Sequence, residues 1–211
     1  GAVVSGAYGG SWYGVLGAPP PPPLPPDPAP AQFCGCFVEG VGDRDPPYYV
    51  KNIVTSNAAD GLTILNYAFV EPGPAADGTI ECQLDDPVAA YQQSYTNSMS
   101  VDGTGDIAGQ SLRGNFNQLR KLKLARPGLK ILVSIGGWLG SVYWSDAVKS
   151  VASRQAFVES CLDMFVDGDL PLAGGAGGVG VAAGIFDGFD LDWEYPVSGG
   201  APGTHHTSAA A

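Results

Sequence analysis

The chain has 211 residues, of which 45% are hydrophobic and 15% charged, so one ordinary domain with a buried core is expected. Ten basic residues against 21 acidic ones give a formal net charge of −11. This balance disfavours nucleic acid and anionic membranes as partners, because both need a surface rich in Lys and Arg. No apolar run approaches the ~18–20 residues of a membrane-spanning helix. No signal peptide is visible at Gly1, which is compatible with its earlier removal.

Residues 19–30 read PPPPPLPPDPAP and predict a polyproline II segment. Such spacers separate modules, so we expect three parts. Residues 1–18 would be the end of a preceding module or a leader, 19–32 a Pro-rich linker, and 33–211 the main domain. A ligand for a proline-binding domain is the alternative interpretation of the proline run.

The cysteines show no CxxC pair, and the two histidines stand near the end of the chain, so a zinc site is poorly supported. The four cysteines are Cys34, Cys36, Cys82 and Cys161. Spacing alone leaves two alternatives open, namely one or two disulfides, or four small buried residues. His205 and His206 are expected in a disordered end.

Four short apolar runs predict buried parallel strands, at residues 33–38, 62–70, 130–135 and 185–193. Between them, helical spacing of apolar residues predicts helices over 115–125 and 145–166. Strands that alternate with helices indicate an α/β fold with a parallel sheet.

Two connecting segments need a separate interpretation. The long polar stretch 71–110 is expected to be an elaborated loop after the second strand. Residues 175–180 read GAGGVG and fit a dinucleotide-binding pattern, but they precede a strand instead of opening a helix. They are therefore interpreted as a flexible connector.

The segment DGFDLDWEYP, residues 187–196, carries the most informative pattern. In an extended strand Asp190, Asp192 and Glu194 would share one face, opposite Phe189, Leu191 and Trp193. Three like charges in one place cannot all stay ionised, so at least one pKa should rise, and Glu194 is the acid expected to keep its proton. A calcium loop is the alternative, but the glycine and glutamate that an EF-hand requires are missing.

These residues resemble a known family. The spacing Asp187-x-x-Asp190-x-Asp192-x-Glu194 is similar to the DxxDxDxE signature of glycoside hydrolase family 18, the chitinase family. Residues 134–137, SIGG, resemble its SxGG element, and residues 66–69, NYAF, resemble its second strand. The WEYP ending is more similar to chitinases than to the endo-β-N-acetylglucosaminidases of the same family, which stay a further alternative.

The resemblance implies a (β/α)8 TIM barrel that cleaves β-1,4 bonds between N-acetylglucosamine units with retention, the substrate acting as nucleophile. It implies Glu194 as general acid and base, and Asp192 as the carboxylate that holds the acetamido group. Asp190 would share a proton with Asp192, and Ser134 would hydrogen-bond Asp190. No cofactor and no metal are expected.

The resemblance also implies supporting and substrate-binding residues. Asp187 would support the acidic strand. The residues expected to bind substrate are Gly136, Gly137, Trp138, Tyr195 and Tyr67, although core packing is the alternative for each aromatic.

Two departures from the family accompany these expectations. Many relatives carry a Tyr after the glycine of the first strand, whereas Gly35 is followed here by Cys36. The chain also ends at Ala211, soon after Glu194, while such a barrel needs about 250 residues. Only the first four βα units are therefore expected, either as part of a longer domain or as a half-barrel that pairs with another chain.

Three functions follow as hypotheses: a secreted chitinase, a non-catalytic chitin-binding or lectin-like protein, and an inactive fragment. The expected partners are chitin or chitooligosaccharides, with a preceding carbohydrate-binding module as a further possibility and neither nucleic acid nor membrane. Glu194 favours the enzyme, because non-catalytic relatives usually lose this acid.

Overall fold

The computed structural model describes residues 34–38 and 47–206. The predicted leader at 1–18 and the Pro-rich linker at 19–32 lie outside the described residues. No helix within the described residues is long and apolar enough to cross a membrane.

Four parallel strands form the centre of the described fold, and each coincides with one of the predicted strands. They lie side by side in the order β1, β2, β4, β7. Their bounds are Cys34–Val38 for β1, Ile64–Pro74 for β2, Lys130–Gly136 for β4 and Gly188–Asp192 for β7. The predicted α/β fold with a parallel sheet is thus confirmed.

Short helices connect and cover these strands. They are α1 (Val50–Thr55), α2 (Ala58–Gly61), α3 (Gly114–Ala125), α4 (Gly137–Gly140), α5 (Trp144–Val148) and α6 (Val151–Leu162), with π-helical turns at Val88–Gln92 and Asp163–Asp167. In α3 the residues Phe116, Leu119 and Leu122 have no exposed surface, as their helical spacing predicts.

The register of the strands separates the two faces of the sheet. One row across the sheet contains Phe37, Tyr67, Val133 and Phe189. This face packs on helices, since the ring of Tyr67 lies 5.3 Å from that of Phe116 in α3. The next row contains Val38, Ala68, Ser134 and Asp190, and side chains alternate along a strand, so this row lies on the opposite, inner face.

The single helix predicted over 145–166 is wrong in detail. Helix α5 ends at Val148 and α6 begins at Val151, because Ser150 caps the new helix by accepting a hydrogen bond from the Ser153 backbone N–H at 3.0 Å. Apolar periodicity continues across the break and therefore does not reveal it.

The segment 71–110 is more ordered than the predicted loop. Strand β2 continues to Pro74 and pairs with the antiparallel β3, Ile80–Leu84. A disulfide joins Cys82 of β3 to Cys161 of α6 across 79 residues of sequence. Cys34 and Cys36 are free and exposed, so the alternatives for the cysteines resolve to one disulfide among the described residues.

The glycines at 175–180 belong to a two-stranded antiparallel ribbon and not to a flexible connector. The ribbon pairs β5, Leu170–Ala173, with β6, Ala176–Gly178. Gly177 has φ +93°, and a Cβ at this position would lie 2.0 Å from the Pro171 carbonyl oxygen. Glycine is required here because the backbone segments pack closely. This packing explains the glycine-rich sequence without invoking a nucleotide-binding site.

His205 is held in place and not part of a disordered end. Its ring Nδ1 lies 2.5 Å from Asp146 Oδ2, and its backbone N–H donates to the Val142 carbonyl at 2.9 Å. The ring of His206 contacts the Gly199 carbonyl at 2.9 Å through Nε2.

Candidate active site

The parallel pairing of β4 and β7 brings the inner acids beside the glycine-rich end of β4. Asp190 lies opposite Ser134, and Asp192 lies opposite Gly136. Ser134 Oγ donates a hydrogen bond to Asp190 Oδ2 at 2.8 Å. This contact is the one that the resemblance implied, and it orients Asp190 on the inner face.

Glu194 lies two residues beyond the end of β7, so the strand is shorter than predicted. Its backbone N–H donates to Ser141 Oγ at 2.9 Å. Between Asp192 and Glu194, the Trp193 ring stacks on Trp144 with centroids 5.6 Å apart. Packing and hydrogen bonding thus replace strand pairing in fixing the acidic end.

Asp192 is the acid whose pKa the structure raises. The main cause is burial, followed by the negative charges of Glu194 and Asp190. The sequence predicted that at least one pKa in this group rises, and the rise falls on the middle acid. Because the charges of both neighbours act on Asp192, the three carboxyl groups form one cluster.

Cys36 lies on the inner face beside this cluster. It pairs in register with Asn66 on β2. The thiol is exposed at its surface but partly desolvated by its neighbours, and this desolvation raises its pKa. The charges of Asp190, Cys34 and Asp192 raise the pKa further. The thiol therefore stays protonated at neutral pH.

Two glycines let the backbone approach the acids closely. At Gly136, φ is +115° and a Cβ would lie 2.2 Å from the Asp192 carbonyl oxygen. At Gly137, φ is +75° and a Cβ would lie 2.9 Å from the Phe69 ring. These contacts account for the SxGG spacing through packing, and both glycines are buried.

Asp187 lies at the opposite end of β7 from the acidic cluster. It accepts hydrogen bonds from Lys123 Nζ at 2.6 Å, the Ile131 backbone N–H at 2.9 Å and Lys130 Nζ at 3.1 Å. Burial opposes its ionisation, but these hydrogen bonds outweigh burial and lower the pKa of Asp187. Asp187 therefore stabilises the start of β7, at the end of the strand away from the acidic cluster.

The predicted aromatic contacts fall into two groups. Trp138 is 51% exposed and Tyr195 is 49% exposed, as a ring that stacks on sugar would need to be. Tyr67 has no exposed surface. Side chains alternate along β2, and Tyr67 lies on the face that the helices cover. The expectation that Tyr67 binds substrate is therefore wrong.

Ser141 and Trp144 contact the acidic end of β7, and the sequence did not reveal them. Ser141 is fully buried just after α4 and contacts the backbone at Gly137, Asp192 and Glu194. No motif marks it, since these contacts connect positions about 50 residues apart and depend on the fold. Residues 34–38 and 47–206 contain no group of His, Cys, Asp and Glu that could hold a metal ion.

The comparison with protein families identifies the fold. The model of glycosyl hydrolases family 18 matches residues 41–208. The chain belongs to this family.

Several proteins that are similar in sequence are named chitinases. Chitinase C of Streptomyces lividans is 48% identical over 149 residues, which cover 71% of this chain and 21% of the relative. Chitinase 63 of Streptomyces plicatus is 44% identical over the same shares. The catalytic domain of psychrophilic chitinase B from Arthrobacter TAD20 superposes with a TM-score of 0.78 at 35% identity, covering 83% of this chain and 43% of that chain. The chain thus spans about a fifth of these curated relatives and less than half of the solved domain.

Proposed function

We propose that this family 18 chain carries the catalytic acids of a chitinase, which hydrolyses β-1,4 bonds between N-acetylglucosamine units of chitin. The observation that carries the proposal is the cluster of Asp190, Asp192 and Glu194 at the carboxyl end of β7, with Ser134 bound to the innermost acid. In parallel α/β barrels this end of the strands carries the chemistry.

The first step uses the substrate's own acetamido group as nucleophile. Its carbonyl oxygen attacks the anomeric carbon while Glu194 gives its proton to the leaving glycosidic oxygen. Asp192 holds the acetamido N–H and stabilises the positive charge of the resulting oxazolinium ion. The product of this step is a cyclic intermediate and a released sugar with a new hydroxyl group.

The second step restores the enzyme. Water attacks the anomeric carbon from the side that the leaving group vacated, and Glu194 takes its proton. The oxazoline ring opens and the acetamido group is regenerated, so the anomeric configuration is retained. The raised pKa of Asp192 supports a proton shared with Asp190, whose other partner is the Ser134 hydroxyl.

The barrel is proposed to be incomplete in this chain. We assign 33–211 to the first four βα units of the domain, after a linker at 19–32 and a module or leader at 1–18. In the described residues β1 and β7 are the outer strands of the sheet, and Leu191 of β7 is 67% exposed. Further strands added at these edges would cover Leu191 and close the barrel.

Trp138 and Tyr195 are proposed as sugar platforms beside the acids, because their half-exposed rings offer faces on which pyranose rings stack. An extracellular location fits a polymeric substrate, and the Pro-rich segment would connect a carbohydrate-binding module.

Hydrolysis of a fluorogenic chitotrioside tests the proposal. The 211-residue chain and the full product of its gene are assayed beside their Glu194→Gln variants. Glu159→Gln serves as matched control, because Glu159 is an exposed glutamate on α6. We expect at least one form to release the fluorophore, with a loss of at least about 100-fold in Glu194→Gln and none in Glu159→Gln.

Two results would overturn the proposal. One is release that Glu194→Gln leaves unchanged. The other is retention on chitin beads without release by either form, which would establish the binding protein instead.

A further inference from the structure

Ser141 stands at the junction of three backbone segments of the active site. Its hydroxyl hydrogen points to the Gly137 carbonyl at 2.7 Å, with the Asp192 carbonyl 3.2 Å away as a second acceptor. The same oxygen accepts the Glu194 backbone N–H at 2.9 Å. One hydroxyl thus joins the start of α4, the end of β7 and the residue after Trp193.

The hydroxyl is placed where water cannot replace it. Ser141 has no exposed surface. Removal of its oxygen would leave the Glu194 N–H without an acceptor in a buried position, where the backbone would shift to find one.

Glu194 has few other restraints. It lies beyond β7 and outside its hydrogen-bond ladder. The preceding residue, Trp193, is held by its stack on Trp144. On the other side, Gly200 packs against the Glu194 carbonyl oxygen, which would lie 2.4 Å from a Cβ added to Gly200. The Ser141 hydrogen bond is a polar contact to the backbone of Glu194 itself.

We infer that Ser141 is a positioning residue that holds the general acid Glu194 in line with the glycosidic oxygen, an inference that rests on the proposed function. It touches no reacting atom. A carboxyl group displaced by a fraction of an ångström delivers its proton late, so more negative charge builds on the leaving oxygen.

A series of aryl chitobiosides with leaving groups of different acidity tests this role. The readout is the slope of log(kcat/KM) against the pKa of the leaving phenol, measured in the form of the protein that the chitotrioside assay finds active. Wild type should give a shallow slope, because Glu194 protonates the leaving oxygen. In Ser141→Ala, kcat/KM should fall about 10- to 100-fold for the glycoside of the least acidic phenol. For the dinitrophenyl glycoside it should fall less than about 3-fold.

Two variants separate positioning from general destabilisation. Ser100→Ala also removes a fully buried, hydrogen-bonded serine, but one that contacts Thr96 and Gln118, so its slope should equal that of wild type. Ser141→Thr keeps the hydroxyl and should restore the shallow slope. Where Ser141→Ala fails to fold, Ser141→Cys keeps the shape with a weaker acceptor and should give an intermediate slope.

The outcomes distinguish this inference from the proposed function. A steep slope for Glu194→Gln with a wild-type slope for Ser141→Ala, or an equal loss across the whole series, overturns the role of Ser141 alone. A shallow slope for Glu194→Gln overturns the assignment of the general acid.

Discussion

Three carboxyl groups lie close together at the end of β7, those of Asp190, Asp192 and Glu194. Their arrangement makes ionisation of Asp192 unfavourable. Burial and two like charges disfavour its ionised form. A group whose pKa is raised by folding lowers stability at every pH at which it must ionise in the native state. The catalytic arrangement is therefore held against an electrostatic cost, as is common where function and stability compete.

Asp192→Asn should raise the Tm at neutral pH, because it removes one of three repelling charges. The increase in Tm should be complete at pH values above the pKa of Asp192 in the folded protein. It should vanish as the pH falls below the pKa of Asp in the unfolded chain, near 4. Thermal unfolding at several pH values measures it. Chitinase activity should fall at least about 100-fold in the same variant. A lower Tm at neutral pH would contradict the assigned repulsion.

At the scale of elements, β7 begins next to a residue that stabilises the fold and ends at the residues that are proposed to be catalytic. Asp187 fixes the start of the strand through two lysines and a backbone N–H, while Asp190 and Asp192 occupy the finish. The four strands could be predicted, because continuous apolar runs report burial on both faces. The early end of β7 and the contacts of Ser141 could not, since both depend on segments distant in sequence. The break before α6 is local, but apolar periodicity continues across the Ser150 cap and hides it.

Asp187→Asn should destabilise the protein by about 1–3 kcal/mol at neutral pH, since it breaks a half-buried network of charged hydrogen bonds. Folding lowers the pKa of Asp187, so its stabilisation is complete above the unfolded value near 4 and is lost as the pH falls through the native value.

Urea unfolding at neutral and acidic pH measures the effect of Asp187→Asn. Asp60→Asn is the control, because it breaks the more exposed pair with Arg126 and should cost less than about 1 kcal/mol. Equal losses in the two variants, or a loss that persists at the lowest pH, would show that the Asp187 network does not anchor β7.

At the scale of the whole molecule, the disulfide ties the β3 hairpin to the helical layer. Cys82 and Cys161 are both buried, with Cα atoms 5.1 Å apart. The sequence could place four cysteines but not pair them, because four cysteines allow several connectivities. The placement of Asp190 and Asp192 on one face, by contrast, could be predicted from spacing, since strand parity is a local property. The roles of the acids were implied only by the resemblance to the family.

Replacement of Cys82 and Cys161 together by Ala should lower the free energy of unfolding by about 2–4 kcal/mol, because the unfolded chain regains the freedom of a long loop. A reductant should lower the Tm of wild type and leave that of the double variant unchanged. Cys34→Ala is the control, as this cysteine is free and exposed. A wild-type Tm insensitive to reductant would contradict the stabilising role.

The three acids are proposed to act through the acetamido group of the sugar. The most direct test compares the initial release of 4-methylumbelliferone from its N-acetylated chitobioside and from the same glycoside with free amino groups. We predict that only the acetylated glycoside releases the fluorophore, and that Glu194→Gln abolishes this release. Release from both glycosides at similar rates would contradict it, because the free amine offers no carbonyl oxygen to attack the anomeric carbon.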